Sequence, residues 1–131
     1  IDDPDHFDSN ITQLWWDRQS LRLMKRFPGL KRGSASGYAA LYDVSVTDWY
    51  PIADKTDLPG FYVCIGTSGS SFKTSPVLGQ LMADIIEHEA MGHDQELTPC
   101  QTSLRYTGRS INSGFLSRNR APFNSSGTVL G

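Results

Sequence analysis

Two stretches of the chain repeat apolar positions at helical spacing, and a third carries a short continuous apolar run of strand length. In the first, residues 11–27, Leu14, Trp15, Leu21 and Met24 are spaced to make one buried stripe. Ser9 and Asn10 precede it, Gln13 follows Asn10 by three in the manner of a capping box, and Pro28-Gly29 supplies a stop. The second, 74–91, aligns Val77, Leu78, Leu81, Met82, Ile85 and Ile86, with Gly92 placed to end it. Between the two helices, the break at 33–37 leads into strands predicted at 38–46 and 49–53, which could pair as a hairpin through Thr47-Asp48. A turn at Asp57-Leu58-Pro59-Gly60 then launches Phe61, Tyr62, Val63, Cys64 and Ile65, a run of the kind buried on both faces in a parallel sheet. Residues 107–131 hold only scattered apolar positions, Ile111, Phe115, Leu116 and Phe123, among Ser, Arg, Asn and Gly, and read as an extended tail.

Trp15 and Trp16 cannot both face one core, so one is expected to be partly exposed or covered by a part of the protein outside these residues. The chain begins at Ile1 rather than Met and opens on Asp2, Asp3, Asp5 and Asp8, a start that looks cut from something longer. With 131 residues, 38% hydrophobic and 20% charged, the composition fits one compact globular unit at most and neither a disordered nor a fibrous chain. A net charge of −2, with both signs interspersed, gives no field to gather phosphate backbones or anionic lipid, so neither nucleic acid nor a membrane is an expected partner. The densest basic run, Arg22, Lys25, Arg26, Lys31 and Arg32, surrounds a helix end, where cations complement the dipole. Cys64 and Cys100 sit far apart and imply no disulfide framework, and nothing resembles a signal peptide or a membrane span. A reduced, cytoplasmic protein is the expectation.

Strand, glycine-rich turn and amphipathic helix in succession, at 61–91, would point free backbone N–H groups and a positive helix end at one spot. Such a spot favours an anion or a polarised carbonyl, and Lys73 adds a charge at its rim. Glycine also serves strand-to-helix turns for geometry alone, so the local pattern leaves ligand binding and a purely structural role both open. The stretch fits neither G-x-G-x-x-G nor the phosphate loop. Read alone, Lys73 is an exposed first-turn lysine and Tyr42 a core aromatic of a strand. His88 and His93 are five apart with Gly92 between them, where a zinc-protease helix needs a spacing of four, and no metal site is expected. His6 reads as solvated, and Cys64 as a small core residue. Asp43, Asp48 and Asp54 form either a carboxylate cluster or, for the two that flank turns, backbone caps.

Taken together, Tyr42-Asp43, the segment 48–54, Leu58 to Val63 and the turn 66–73 with its helix resemble the D-amino-acid oxidase superfamily, sarcosine oxidase-like branch, over about residues 27–120. In that family the final strand ends in a motif close to G-[FT]-S-G-H-G-F-K. Gly66, Thr67, Ser68, Gly69, Ser70, Ser71, Phe72 and Lys73 agree with it at six of eight positions.

The resemblance implies an α/β fold, the carboxy-terminal fragment of a Rossmann-like FAD-binding domain. Its parts would be an acidic leader and substrate-domain helix at 1–32, the FAD-domain portion at 33–106 and the tail at 107–131. It places 66–73 against the pyrimidine edge of the isoalloxazine ring, pairs Lys73 with the substrate carboxylate and brings Tyr42 and Ser70 near the substrate. Family members with covalent FAD carry a cysteine two residues before the Tyr42 position, where this chain has Ala40, so FAD would be non-covalent. Ser70 for histidine and Ser71 for glycine alter the substrate side of the pocket, away from sarcosine itself. The implied reaction is oxidation of a secondary amine or amino acid, of the sarcosine, glycine or D-amino-acid type, to an imine. The family holds the ADP half of FAD on an amino-terminal βαβ unit that these residues lack, so the isolated fragment is expected to be inactive and to self-associate. The alternative is a non-catalytic interaction domain that retains the fold.

Overall fold

The structure, a computed structural model, describes residues 3–34, 36–69 and 71–124. It divides into two compact units, Ile1–Leu41 and Tyr42–Gly131. The class is mixed α/β, and among the described residues both sheets are two-stranded and antiparallel. No helix among the described residues is long and apolar enough to cross a membrane.

In the first unit the chain folds back along helix α1 (Gln13–Arg26). Its cap is Thr12, whose hydroxyl accepts the Trp15 N–H at 3.2 Å. Asn10, the cap expected from the sequence, is already engaged. Its backbone and side-chain N–H groups both donate to Asp8 at 2.9 Å, and its backbone bridges Tyr38. Lys25 and Arg26 occupy the last turn, where they complement the helix dipole, and Arg32 returns to pair with Asp17. The predicted buried stripe is not buried: Leu14, Trp15 and Leu21 are more than half exposed, Trp16 and Met24 are half-buried, and Ser20 is the buried residue of the helix. Within this unit α1 is the one regular element among the described residues, so no second element is there to cover that face.

The second unit is built on β1 (Ile52–Lys55) paired antiparallel with β2 (Tyr62–Ile65), in a register that sets Ile52 opposite Ile65 and Lys55 opposite Tyr62. A 3-10 turn at Ser71–Thr74 leads into α2 (Ser75–Ala90), and Gly92 in the left-handed region (φ +85°) stops it. Leu78, Leu81 and Ile85 turn inward onto Ala53, Cys100 and Leu116, with Tyr62 and Met82 packed beside them. Val77 and Ile86, also on the predicted stripe, are 38% and 44% exposed, because the two-stranded sheet is too narrow to cover the whole face. β3 (Gln101–Ser103) and β4 (Ser110–Asn112) make a second hairpin, followed by a 3-10 turn at Ser113–Leu116.

The hairpin expected from 38–46 and 49–53 is displaced. Trp49 adopts φ +64°, outside the extended region a strand needs, and among the described residues 38–46 makes strand-type pairing only at single bridges, Tyr38 with Asn10 and Val44 with Thr67. β1 therefore starts at Ile52 and takes as its partner the run expected to lie in a parallel sheet. That run has one neighbouring strand instead of two, so Tyr62 and Val63 are half-buried while Cys64 and Ile65 are exposed. Cys64, expected in the core, is a surface residue, and Cys100 is the core cysteine; both are free thiols.

Of the tail expected at 107–131, residues 107–124 are folded onto the unit rather than extended, and 125–131 lie outside the described residues. Leu116 enters the core, and Arg120 makes a bidentate pair with Asp48 at 2.8 and 3.1 Å. Asp48 also accepts the N–H groups of Tyr50 (3.0 Å) and Phe123 (3.3 Å). Asp54 accepts the Ser117 hydroxyl (2.8 Å) and the Arg118 N–H (2.9 Å). The rings of Tyr50, Phe115 and Phe123 close over this junction with centroids 4.8–5.8 Å apart.

The Asp48 and Arg120 side chains are 1% and 8% exposed, so removing the guanidinium strands a buried charge. Arg120→Ala should lose about 3 kcal/mol of stability in urea unfolding. Arg118→Ala breaks contacts to the exposed carboxylates of Asp57 and Glu96 and should shift the midpoint far less. Equal midpoints would sink the idea that Asp48 anchors the carboxy-terminal segment. Burial opposes ionisation of Asp48, but the hydrogen bond from Arg120 and those from the Tyr50 and Phe123 N–H groups outweigh it and hold the carboxyl at about 2. A carboxyl depressed in the folded state stabilises fully above its ordinary value and loses that contribution as pH falls through the folded one. Acid unfolding of the wild type should therefore show a component between about pH 4 and pH 2 that Arg120→Ala lacks.

Candidate functional site

The motif 66–73 folds as the turn between β2 and α2. Gly66 (φ +66°) and Ser68 (φ +51°) both take left-handed backbone, which swings the chain off the end of the strand. At Gly66 a side chain is excluded twice over: by the dihedral, and by the Ser45 backbone N and Cβ, which a Cβ would meet at 3.1 and 3.2 Å.

The turn is held from outside by Asp43. Its Oδ2 accepts the N–H groups of Gly66 and of Thr67, the latter at 3.0 Å, and its Oδ1 accepts the Thr67 hydroxyl at 2.7 Å. Its backbone carbonyl accepts the Ser68 N–H at 2.9 Å, and Val44 bridges Thr67 beside it. These bonds, the Thr67 hydroxyl first and the Thr67 N–H next, hold the Asp43 carboxyl below the usual carboxylate range despite partial desolvation. Within the turn the Ser68 hydroxyl donates to the Trp49 carbonyl at 3.0 Å and the Ser71 hydroxyl to the Thr67 carbonyl.

The N–H groups of Gly66, Thr67 and Ser68, expected to be free for a ligand, are occupied by Asp43. An internal carboxylate has taken the place of the external anion, which the turn attracts for the same electrostatic reason. The outer part of the motif stays open: Gly69, Phe72 and Lys73 are exposed, Phe72 almost completely at 95%. Ser70 lies outside the described residues. Lys73 sits in the 3-10 turn without a carboxylate partner among the described residues, and Thr74, ahead of α2, makes no side-chain cap. Tyr42 is half exposed, a surface residue where the strand reading made it core. Its neighbour Asp43 is bonded to the turn, so the segment that carries Tyr42 meets the motif across more than twenty residues of sequence.

Beside the turn runs an open groove of about 410 Å³, lined by Cys64, Thr67, Ser71, Phe72, Leu78 and Met82. Desolvation, and then the negative charge of Asp43, push the Cys64 thiol up, so it is not primed as a nucleophile. Elsewhere, His88 contacts the Thr98 carbonyl through Nε2 at 2.7 Å and stacks on His93 at 4.6 Å. No group of three or more His, Cys, Asp or Glu that could hold a metal occurs among the described residues. His6 pairs with Asp3 at the exposed start of the first unit.

Asp43 is the site residue that sequence reasoning undervalued. It stood in the Tyr42-Asp43 pair of the resemblance and in a possible carboxylate cluster with Asp48 and Asp54, and no local spacing reveals a partner 23 residues on. Compared with protein-family models, with curated proteins and with solved structures, the chain shows no match to any of them.

Gly66→Ala and Gly60→Ala separate dihedral from packing. Both positions have positive φ, but a Cβ at Gly60 meets nothing within 4 Å. Gly60→Ala should cost about 1 kcal/mol and Gly66→Ala clearly more, on the order of 2 kcal/mol. Thermal unfolding of the two variants checks this, and equal losses would show that Ser45 yields without cost.

Proposed function

We propose that these residues form the carboxy-terminal part of an FAD-dependent oxidoreductase that oxidises a secondary amine or amino acid to an imine. The observation that supports this reading most is the meeting of two parts of the resemblance: the segment of Tyr42 and Asp43 lies bonded along the turn 66–68 of the eight-residue motif. Residues far apart in sequence thereby meet at one turn. In this reading the flat edge of the isoalloxazine ring lies in the open groove beside that turn, which Thr67 and Phe72 flank. The turn does not fit the pyrophosphate half of FAD, whose charge would meet Asp43 where free N–H groups are needed.

When bound, the flavin supplies a two-electron acceptor for the hydride of the substrate C–H bond. In this reading the exposed ammonium of Lys73 pairs with the substrate carboxylate and orients that bond, while Tyr42 and Ser70 border the substrate. The imine product hydrolyses in water. With Ala40 at the attachment position the cofactor is non-covalent, and the protein is cytoplasmic. A second reading, a non-catalytic interaction domain, is favoured by the solvent-facing Phe72, Ile65 and Phe61, which offer apolar surface to a partner or a second copy.

In the enzyme that contains this chain, Lys73→Met should lower kcat/KM for an amino-acid substrate by about 30- to 1000-fold, equivalent to about 2–4 kcal/mol. An amine of the same shape without the carboxylate should be little affected, and flavin content should not change. Equal slowing of both substrates would remove the carboxylate role from Lys73. The chain by itself should purify colourless, and stoichiometric flavin absorbance would contradict the view that it lacks the nucleotide-binding half.

A further inference from the structure

Ser68 holds a left-handed dihedral that costs an L-residue about 1 kcal/mol or more, so the shape of the turn must be imposed by bonds from elsewhere in the fold. One residue supplies four of them. The two carboxylate oxygens of Asp43 take the N–H groups of Gly66 and Thr67 and the Thr67 hydroxyl, and its carbonyl takes the Ser68 N–H.

We infer that Asp43 is the positioning residue of the candidate site: it shapes the turn 66–68 and ties its own segment, in which Tyr42 is the preceding residue, to that turn. The part of this inference that concerns flavin rests on the function proposed above. Asp43 acts through the turn and touches no reacting atom.

The arrangement makes a specific demand on chemistry that the two obvious substitutions separate. In Asp43→Asn the amide oxygen can stand where Oδ2 stands and accept both N–H groups. The amide NH2 then stands where Oδ1 stands and donates to the Thr67 hydroxyl, which can accept as readily as donate. Asn thus keeps the geometry without the charge, whereas Asp43→Ala removes both.

The experiment uses the whole chain in three forms, wild type, Asp43→Asn and Asp43→Ala, with amide hydrogen exchange read by NMR and riboflavin as the added probe. Wild type and Asp43→Asn should protect the amides of Gly66, Thr67 and Ser68, and Asp43→Ala should lose that protection by on the order of 10-fold or more. The α2 amides of Leu81 and Ile85 should stay protected in all three, which separates loss of the turn from loss of the fold. Unchanged protection at 66–68 in Asp43→Ala, or loss in Asp43→Asn equal to that in Asp43→Ala, would overturn the inference. Riboflavin should shift the amides of Gly69, Phe72 and Lys73 in wild type and Asp43→Asn but not in Asp43→Ala. If it shifts none of them even in wild type while Asp43→Ala still loosens the turn, the flavin reading falls and Asp43 remains the residue that builds the turn.

Discussion

The second unit depends on carboxylates that leave water and find their partners far along the chain, and the pair of Asp48 with Arg120 is the strongest case. A charge as buried as Asp48 is tolerable only with its hydrogen-bonding capacity filled, and the guanidinium, the Tyr50 N–H and the Phe123 N–H fill it. Among the described residues the buried apolar cluster numbers six, Ala53, Leu78, Leu81, Ile85, Cys100 and Leu116. A core that small does not by itself specify where a polar segment such as 117–124 must lie. Directional bonds to Asp48 and Asp54 supply that specification, and the Tyr50, Phe115 and Phe123 rings then close over them.

The candidate site repeats the device nearer the surface. Asp43 turns a glycine-rich connection into a defined shape by satisfying its N–H groups internally. The consequence for function is selective. A connection with free N–H groups would attract phosphate, whereas one filled by a carboxylate repels it and leaves Gly69, Phe72 and Lys73 as the exposed part of the motif. This division of labour is compatible with a flavin ring on one side and an amino-acid carboxylate on the other, the assignment proposed for Lys73.

What could be read directly from the sequence were the features with short-range causes. Both helices, the Pro28-Gly29 and Gly92 stops, the turn at 57–60 and the turn at 66–73 follow from periodicity and backbone permissiveness, and each lies where the pattern put it or within a few residues. Boundaries moved where a neighbour competed for the same group: Asn10 lost the cap to Thr12 because Asp8 and Tyr38 had already engaged it. Tertiary structure alone decided the rest. Strand pairing went to Ile52–Lys55 and Tyr62–Ile65 because the left-handed Trp49 breaks any strand ending at 53, and an apolar run with a single sheet neighbour left Cys64 and Ile65 in water. The segment 107–124 looked like a tail because its binding groups are polar, and hydrophobic pattern carries no record of hydrogen bonds formed across 63 to 75 residues. The same is true of Asp43: its residue type is visible in the sequence, but its role exists only once the fold has brought the amides of Gly66 and Thr67 within reach of its carboxylate.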